Sequence, residues 1–510
     1  MPYYIKSSEC LAKVAPGSVP ACAGSHGKEG FTMNTANEPS VETCGAKKTR
    51  AEMFYASMKG KRVAFCGIGG SNLPLIRIFA EKGAKVSARD RRSRGKLGNT
   101  AEELESLGVR LVLGEDYLEN LEEDVIFRTP GMKYFLPELD AARARGAAVT
   151  SEMEVFFDLC PCKIYAVTGS DGKTTTTSIL AELLKASGKR VHLGGNIGRP
   201  LLPEVEKISE EDVAVVELSS FQLISMRRGP DVAVVTNLSP NHLDIHKDMQ
   251  EYIDAKKNIF LHQNAFSRTV LNLDNAITAS FAPEVRGQAL FFSRRSVPQW
   301  GACLTKEGNI VMREGEKETF VMKASNIRIP GDHNIENYLA ALSAVWGEVS
   351  PETIRQVAQS FNGVAHRNEL VRELDGVRWY NDSIGTSPTR TIKGALSLYP
   401  QKTILIAGGY DKKIPYDDMG PVVVEKVKKL VLMGATGPKI GEAVRRAPGY
   451  AEGKPEIYSA SSMEEAVALC RKLAEPGDIV TLSPASASFD MYPNFEARGN
   501  HFKKLVNELN

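Results

Sequence analysis

No stretch of the 510 residues is apolar for long enough to cross a bilayer as a helix. The amino terminus carries Lys6 but no apolar core behind it, so a secretory signal is not expected and the chain should stay in the cytoplasm. Neither sign of charge is in excess. Lys and Arg number 64 against 62 Asp and Glu, a net charge of +2, so bulk electrostatics makes no case for nucleic acid or an anionic membrane as a partner. Cysteine is sparse, eight residues in all and scattered. Cys160-Pro161-Cys162 is too tight for a Cys-x-x-Cys motif, and no second Cys or His pair completes a zinc site. The cysteines therefore read as free thiols in a reducing compartment. The charged fraction is 25% and the hydrophobic fraction 42%, ordinary for a soluble enzyme. The length exceeds one core and points to about three domains.

The first 50 or so residues are rich in Pro, Gly, Ser, Thr and Asn and sustain no period, which reads as a disordered tail. Met33, Met53 and Met58 are each possible natural starts. A strand from Lys61 to Cys66 then leads into Gly67-Ile68-Gly69-Gly70-Ser71-Asn72, a helix through Lys82, and a strand that ends in the acid Asp90. In outline this is a β-α-β nucleotide unit. Asn72 stands where a dinucleotide fingerprint needs its third Gly, which counts against a dehydrogenase. A UDP-type ligand and a purely structural Gly turn both stay open from this unit alone. Further α/β alternation, with a turn at Thr129-Pro130-Gly131, ends the first unit near Phe156.

The most informative stretch follows. An apolar strand, Ile164 to Val167, runs into Gly169-Ser170-Asp171-Gly172-Lys173-Thr174-Thr175 and then an amphipathic helix. Backbone N–H groups of such a loop and of the helix start can cradle a polyphosphate. Lys173 reaches the outer phosphates and the Thr174 hydroxyl ligates Mg²⁺. The longer form of this motif has Gly where Val167 stands, so the match is to a shortened Gly-x-x-Gly-Lys-Thr; an ordinary Gly turn before a helix is the plainer alternative. Two more strands end in chemistry-bearing residues: Val213 to Glu217, followed by Ser219, Ser220 and Gln222, and Val232 to Thr236, followed by Asn237 through His242 to Asp244. Ligands bind at that edge of open α/β sheets, and a terminal acid beside a phosphate loop suits a Mg²⁺ ligand. Lys256 and Lys257 lie on a predicted helix, where a solvated face is the plainer reading. Asn334 and Asn337 share one face of another helix and can read an adenine edge. From His366 onward a third α/β unit has no phosphate loop of its own.

Taken together, Gly-Ser-Asp-Gly-Lys-Thr-Thr-Thr, Glu217-Leu-Ser-Ser-Phe-Gln-Leu223, Asn237-Leu-Ser-Pro-Asn-His-Leu-Asp244, His333-Asn-Ile-Glu-Asn337, His366-Arg367 and Asn381-Asp-Ser383 resemble the Mur ligase family, from about Lys59 to the end. The ending, Leu482 to Asp490 and Asn494-Phe-Glu-Ala-Arg-Gly499, resembles its D-glutamate-adding branch in particular. The resemblance implies an α/β chain with a Rossmann-like first domain for the UDP sugar (56–156), a central P-loop ATPase domain with a mostly parallel sheet (157–363) and a Rossmann-like amino-acid domain (364–510), behind a tail at 1–55. It implies ATP-driven amide formation between UDP-N-acetylmuramoyl-L-alanine and D-glutamate through an acyl phosphate, in peptidoglycan precursor synthesis, by a monomer.

Residue by residue, the resemblance gives Lys173, Glu217, His242 and Lys256 to catalysis. Thr174, Glu217, His242 and a carbamylated Lys256 hold two Mg²⁺; carbamylation turns a cation into an anionic oxygen ligand. Gly169 to Thr175, Asn334, Asn337, Arg367 and Asp382 hold ATP. Ser71, Asp90, Arg92, Gly131, Asn196, Ser219 and Gln222 hold the UDP substrate, and Thr386, Lys412, Ser488, Phe489 and Phe495 hold D-glutamate. Ile384 stands where some members carry Lys, so a charge near the phosphates is missing or comes from elsewhere, with Lys393 as a candidate. A sibling ligase or a folylpolyglutamate synthetase-like ligase is the alternative, and the carboxy-terminal stretches argue against it.

Overall fold

The structure, a computed structural model, describes residues 48–240 and 246–510. His242, and residues 1–47 of the stretch read as a tail, lie outside the described residues.

The folded chain begins before residue 56, which corrects the boundary expected at 55. Arg50–Met58 is a helix whose start is closed by a capping box between Thr49 and Glu52. Ala51, Tyr55 and Met58 are buried. The Tyr55 hydroxyl donates to the Leu202 carbonyl at 3.2 Å, and its ring meets Phe79 edge-on at 5.6 Å. This helix joins the first unit to the second. A chain that starts at Lys48 is expected to melt several degrees above one that starts at Lys59. The difference reflects burial worth on the order of 3 kcal/mol. Equal melting temperatures by circular dichroism would remove the helix from the fold's stability.

Three sheets follow. The first comprises β1 (Arg62–Cys66), β2 (Lys85–Asp90), β3 (Arg110–Leu113), β4 (Val125–Arg128) and β5 (Ala148–Thr150), all parallel in the order β3-β2-β1-β4-β5. The second has nine strands: β6 (Lys163–Thr168), β7 (Val191–Gly195), β8 (Val213–Glu217), β9 (Val232–Val235), β10 (Arg268–Asn272), β11 (Gln288–Ser293), β12 (Trp300–Leu304), β13 (Asn309–Glu314) and β14 (Lys317–Lys323). Their order is β14-β13-β12-β11-β10-β9-β6-β8-β7, with only β13 and β14 antiparallel to their neighbours. The third holds β15 (Glu369–Leu374), β16 (Val377–Asn381), β17 (Thr403–Ala407), β18 (Val427–Leu432), β19 (Glu456–Ser459) and β20 (Ile479–Leu482), in the order β15-β16-β20-β17-β18-β19. The expected α/β architecture with a mostly parallel central sheet is what the chain adopts. No helix among the described residues is long and apolar enough to cross a membrane.

One placement matters most. β6 lies between β8 and β9, so the chain leaves β6 at the point where the strand order diverges. The register sets Val167 beside Glu217 and Thr168 beside Val235. The loop after β6 therefore opens between the ends of its two neighbours.

Candidate active site

The phosphate loop is built by close packing. Gly169 and Gly172 have φ of +149° and +77°. A Cβ on Gly169 would lie 1.9 Å from Thr236 Oγ1, and one on Gly172 2.5 Å from Asn337 Oδ1, so no larger residue fits either place. The stretch after β9 braces the loop from one side. The Ser170 N–H donates to the Asn237 carbonyl at 2.8 Å, the Asp171 N–H to Asn237 Oδ1 at 3.0 Å, and Thr236 Oγ1 to the Asp171 carbonyl at 2.6 Å. Helix Lys173–Ala186 starts directly behind it, with Thr174 and Thr175 half-buried in its first turn.

Asn334 and Asn337 occupy one helix face, as the spacing predicts, but their amides are engaged within the protein. Asn337 Nδ2 donates to Asn334 Oδ1 at 3.0 Å, Thr176 Oγ1 donates to Asn337 Oδ1 at 3.1 Å, and Asn334 Nδ2 donates to the Pro330 carbonyl at 2.6 Å. Through its Oδ1, Asn337 braces the back of the phosphate loop.

Glu217 favours the charged forms of three buried cations, Lys173, Lys256 and Arg367. It is 1% exposed. Asn196 Nδ2 donates to its Oε1 at 2.8 Å, while Oε2 is buried without a partner. Burial lowers the Lys173 ammonium from its ordinary value; Glu217 and Asp171 oppose the shift. Burial holds Lys256 well below the usual ammonium range, Lys173 pushes the same way, and Glu217 opposes. Arg367, from the third unit, is likewise lowered by burial and stabilised by Glu217 and Asp382. Lys173 Nζ rests on the Ser170 carbonyl at 2.9 Å. Lys256 is 2% exposed and donates to Gly169 O at 2.9 Å and Thr168 Oγ1 at 3.1 Å. Adjacent Lys257 turns outward to Glu284 at 2.5 Å. The plainer reading, a solvated face, therefore fails for Lys256, while Lys257 is half-buried and held by that ion pair over the Phe281 ring. Asp382 is buried against Ser483, whose Oγ donates to Oδ2 at 2.7 Å, and burial pushes its carboxyl up to about 7.

In the first sheet, Asp90 ties the Gly-rich loop to β2. It accepts from the Ile68 N–H at 2.7 Å and from Arg92 Nε at 2.9 Å, and Arg92 Nη2 donates to the Ile68 carbonyl at 2.6 Å. Asn72 now has a reason to replace Gly: wholly buried, its Nδ2 donates to the Gly67 carbonyl at 3.0 Å and pins the loop. Ser219 caps the short helix Ser220–Leu223 in a capping box with Gln222. Ser71 lies half-buried in the Gly-rich turn.

In the third unit, the loop holding Lys412 joins the loop holding Ser488 and Phe489. The Tyr410 N–H donates to the Ala487 carbonyl at 2.9 Å, and the rings of Tyr410 and Phe489 meet edge-on at 5.9 Å. Lys412 and Phe489 are exposed, Ser488 is buried and Thr386 is half-buried. Phe495 packs edge-on to His366 at 6.0 Å. Beside Ile384 the cation is Arg390, whose Nη1 donates to the Ile384 carbonyl at 3.3 Å; Lys393, the candidate from sequence, is not the one bound there.

Several residues were not legible as functional beforehand. Arg498 is 1% exposed and staples two site loops, donating to Ser383 Oγ (3.0 Å), Ser383 O (2.9 Å), Ser486 O (3.1 Å) and Ala487 O (3.0 Å). Tyr252 shares a hydrogen bond of 2.9 Å with Ser170 Oγ, and its ring lies 4.9 Å from Lys256 Nζ. Their four-residue spacing on one helix was the available signal. His246 bridges Ser220 Oγ at 2.8 Å and Glu251 Oε1 at 2.9 Å, and stacks on Phe221.

The geometry agrees with what the chain is similar to. The family model described as the Mur ligase middle domain matches residues 167–345, and that for the Mur ligase, glutamate ligase domain matches 366–486. The chain is 54% identical over 465 residues to the UDP-N-acetylmuramoylalanine–D-glutamate ligase of Acetivibrio thermocellus, across 90% of this chain and 99% of that protein. The protein of the same name from Ruminiclostridium cellulolyticum is 51% identical over 463 residues, with the same coverage. Among solved structures, the UDP-N-acetylmuramate-alanine ligase of Thermotoga maritima shares the fold at 16% identity and a TM-score of 0.51, over 88% of this chain and 99% of that one. Identity of this order, sustained along nearly the whole length of two relatives and joined to a phosphate loop set against Glu217, places the chain in the Mur ligase family.

Proposed function

We propose that the chain is an ATP-dependent ligase that joins D-glutamate to UDP-N-acetylmuramoyl-L-alanine, forming the amide, ADP and phosphate in the cytoplasm. The observation that carries this reading is the buried Glu217 carboxylate, set at the end of β8 beside the strand that leads into the phosphate loop, where it favours the charged forms of Lys173, Lys256 and Arg367. A carboxylate has to approach a triphosphate, so the like charges need fixed cations around them. Lys173 and the loop N–H groups hold the outer phosphates, and Arg367 adds charge from the third unit. The substrate carboxylate takes the γ-phosphoryl group and ADP leaves. The D-glutamate amine then attacks the acyl carbon, and phosphate departs. The proposed domains run from the helix at Arg50 to 156, from 157 to 363 and from 364 to 510.

The residues present fit Mg²⁺. Glu217 Oε2 is a buried carboxylate oxygen with no protein partner, and burial lowers the Lys256 amine well below the usual ammonium range, in the direction of the neutral form that takes up CO₂. Glu217, Thr174, a carbamylated Lys256 and His242 are the proposed holders of two ions. Bound there, Mg²⁺ supplies charge neutralisation at the phosphates.

D-Glutamate brings two carboxylates and an amine that has to stay free. Lys412 is proposed to pair with one carboxylate, Thr386, Ser488 and the Phe489 N–H to donate to carboxylate oxygens, and Phe495 to wall the stem. Phosphate release from ATP and UDP-N-acetylmuramoyl-L-alanine, with and without D-glutamate, tests the whole reading: turnover should require all three. Lys412→Ala should raise the KM for D-glutamate about tenfold or more and leave that for ATP within about twofold. L-Glutamate and D-aspartate should be poor acceptors, the first with its amine misplaced, the second a methylene short. Equal use of D- and L-glutamate would move the chain to another branch.

A further inference from the structure

Arg128 is the last residue of β4 and is 1% exposed, yet no carboxylate touches it. Its Nη2 donates to the Phe221 carbonyl at 2.9 Å and to Ser225 Oγ at 2.8 Å; its Nη1 donates to the Met132 carbonyl at 3.2 Å. Nε has no partner. The guanidinium lies 5.4 Å from the Tyr134 ring. The acid that offsets its charge, Glu154, is one hydroxyl away, because Ser225 Oγ donates to Glu154 Oε2 at 2.8 Å. Such a residue is costly to bury, since the cation is desolvated without direct pairing. An apolar side chain of similar volume would fill the same space without the desolvation cost, so its contacts have to account for its presence.

Those contacts join two units. Met132 closes the turn after β4 that contains Gly131. Phe221 and Ser225 belong to the short helix that Ser219 caps and the turn behind it, after β8. Resting on the assignment of Gly131, Ser219 and Gln222 to the UDP substrate, we infer that Arg128 is a positioning residue for UDP-N-acetylmuramoyl-L-alanine: its rigid fork sets the separation of the two walls between which that substrate lies. A lysine has one point charge and no fork, so it holds one wall and not both. The phosphate loop proposed for ATP makes no hydrogen bond to Arg128, so ATP binding should not depend on this residue.

The test compares wild type with Arg128→Gln, Arg128→Lys and Ser225→Ala. Calorimetry reads the affinity for UDP-N-acetylmuramoyl-L-alanine and, separately, for a non-hydrolysable ATP analogue; kinetics gives KM for each substrate and kcat. Arg128→Gln should weaken the UDP substrate about tenfold or more, in both Kd and KM, with ATP values within about twofold. Arg128→Lys should recover part of the loss, and Ser225→Ala should show a smaller loss of the same kind. A merely structural role would lower the melting temperature and leave both affinities alone, or weaken both ligands equally; either result overturns the inference. Should Arg128→Gln not fold, Arg128→Lys decides by the same criterion. Wild type that fails to ligate would instead overturn the proposed function.

Discussion

Lys173→Ala should lose ligation by about 10³-fold or more in kcat while the protein stays folded. The ammonium rests 2.9 Å from the Ser170 carbonyl in the loop it serves, and Glu217 is the acid that most favours its charge. Removing it deletes a cation aimed at charge that moves during phosphoryl transfer, and no neighbour can replace it. Lys256 points into Gly169 O and Thr168 Oγ1, and Arg367 approaches from another unit. Stability should hardly change, because burial already disfavours the charged form of Lys173. The check pairs steady-state phosphate release with a thermal melt. Near-normal turnover with an unchanged melt would mean that the loop after β6 does not hold the reacting phosphates.

Lys256→Ala should be nearly inactive, down about 10²-fold or more, with Lys257→Ala close to wild type. The two are neighbours on one helix and differ in everything else. Lys256 is buried beneath the phosphate loop with its amine lowered well below the usual ammonium range by burial, whereas half-buried Lys257 pairs with Glu284. A neutral amine adds CO₂ and releases a proton, leaving a carbamate, an anionic oxygen ligand on the same side chain. Acetate or formate should therefore restore part of the activity of Lys256→Ala by putting a carboxylate into the vacated space. Carbon-13 bicarbonate should give wild type a carbamate signal that Lys256→Ala lacks. A dead Lys257→Ala beside an active Lys256→Ala would reverse the assignment; a Lys256→Ala protein deaf to added carboxylate and a wild type without the signal would remove the carbamate.

Much of this was legible along the chain because its cause is local. An apolar run, two glycines, a lysine and an amphipathic helix specify a phosphate loop within about twenty residues, and the apolar run before Glu217 located β8, which ends there. The helix at Arg50–Met58 was legible too, through Thr49 and Glu52, but the polar composition upstream obscured it. Other features had no local signal. Asn72 looked like a departure from a glycine pattern until its amide met the Gly67 carbonyl. Asn334 and Asn337 carry a recognisable spacing, yet only the position of Gly172 and Thr176 shows what their amides hold.

Strand and helix periodicity, loop chemistry and the motif residues were written into neighbouring positions, and they established the α/β class, the phosphate loop and the family. Tertiary packing alone distinguished Lys256 from Lys257, named Arg390 beside Ile384, and made Arg498 and Arg128 braces of the site. Arg498 reaches 115 residues back to Ser383, and Arg128 reaches 97 residues forward to Ser225. A guanidinium in either place reads along the chain as one more charged residue. Its meaning comes from burial and from which carbonyls the strand order brings within hydrogen-bond reach, and those are properties of the sheets' arrangement rather than of any short run of residues.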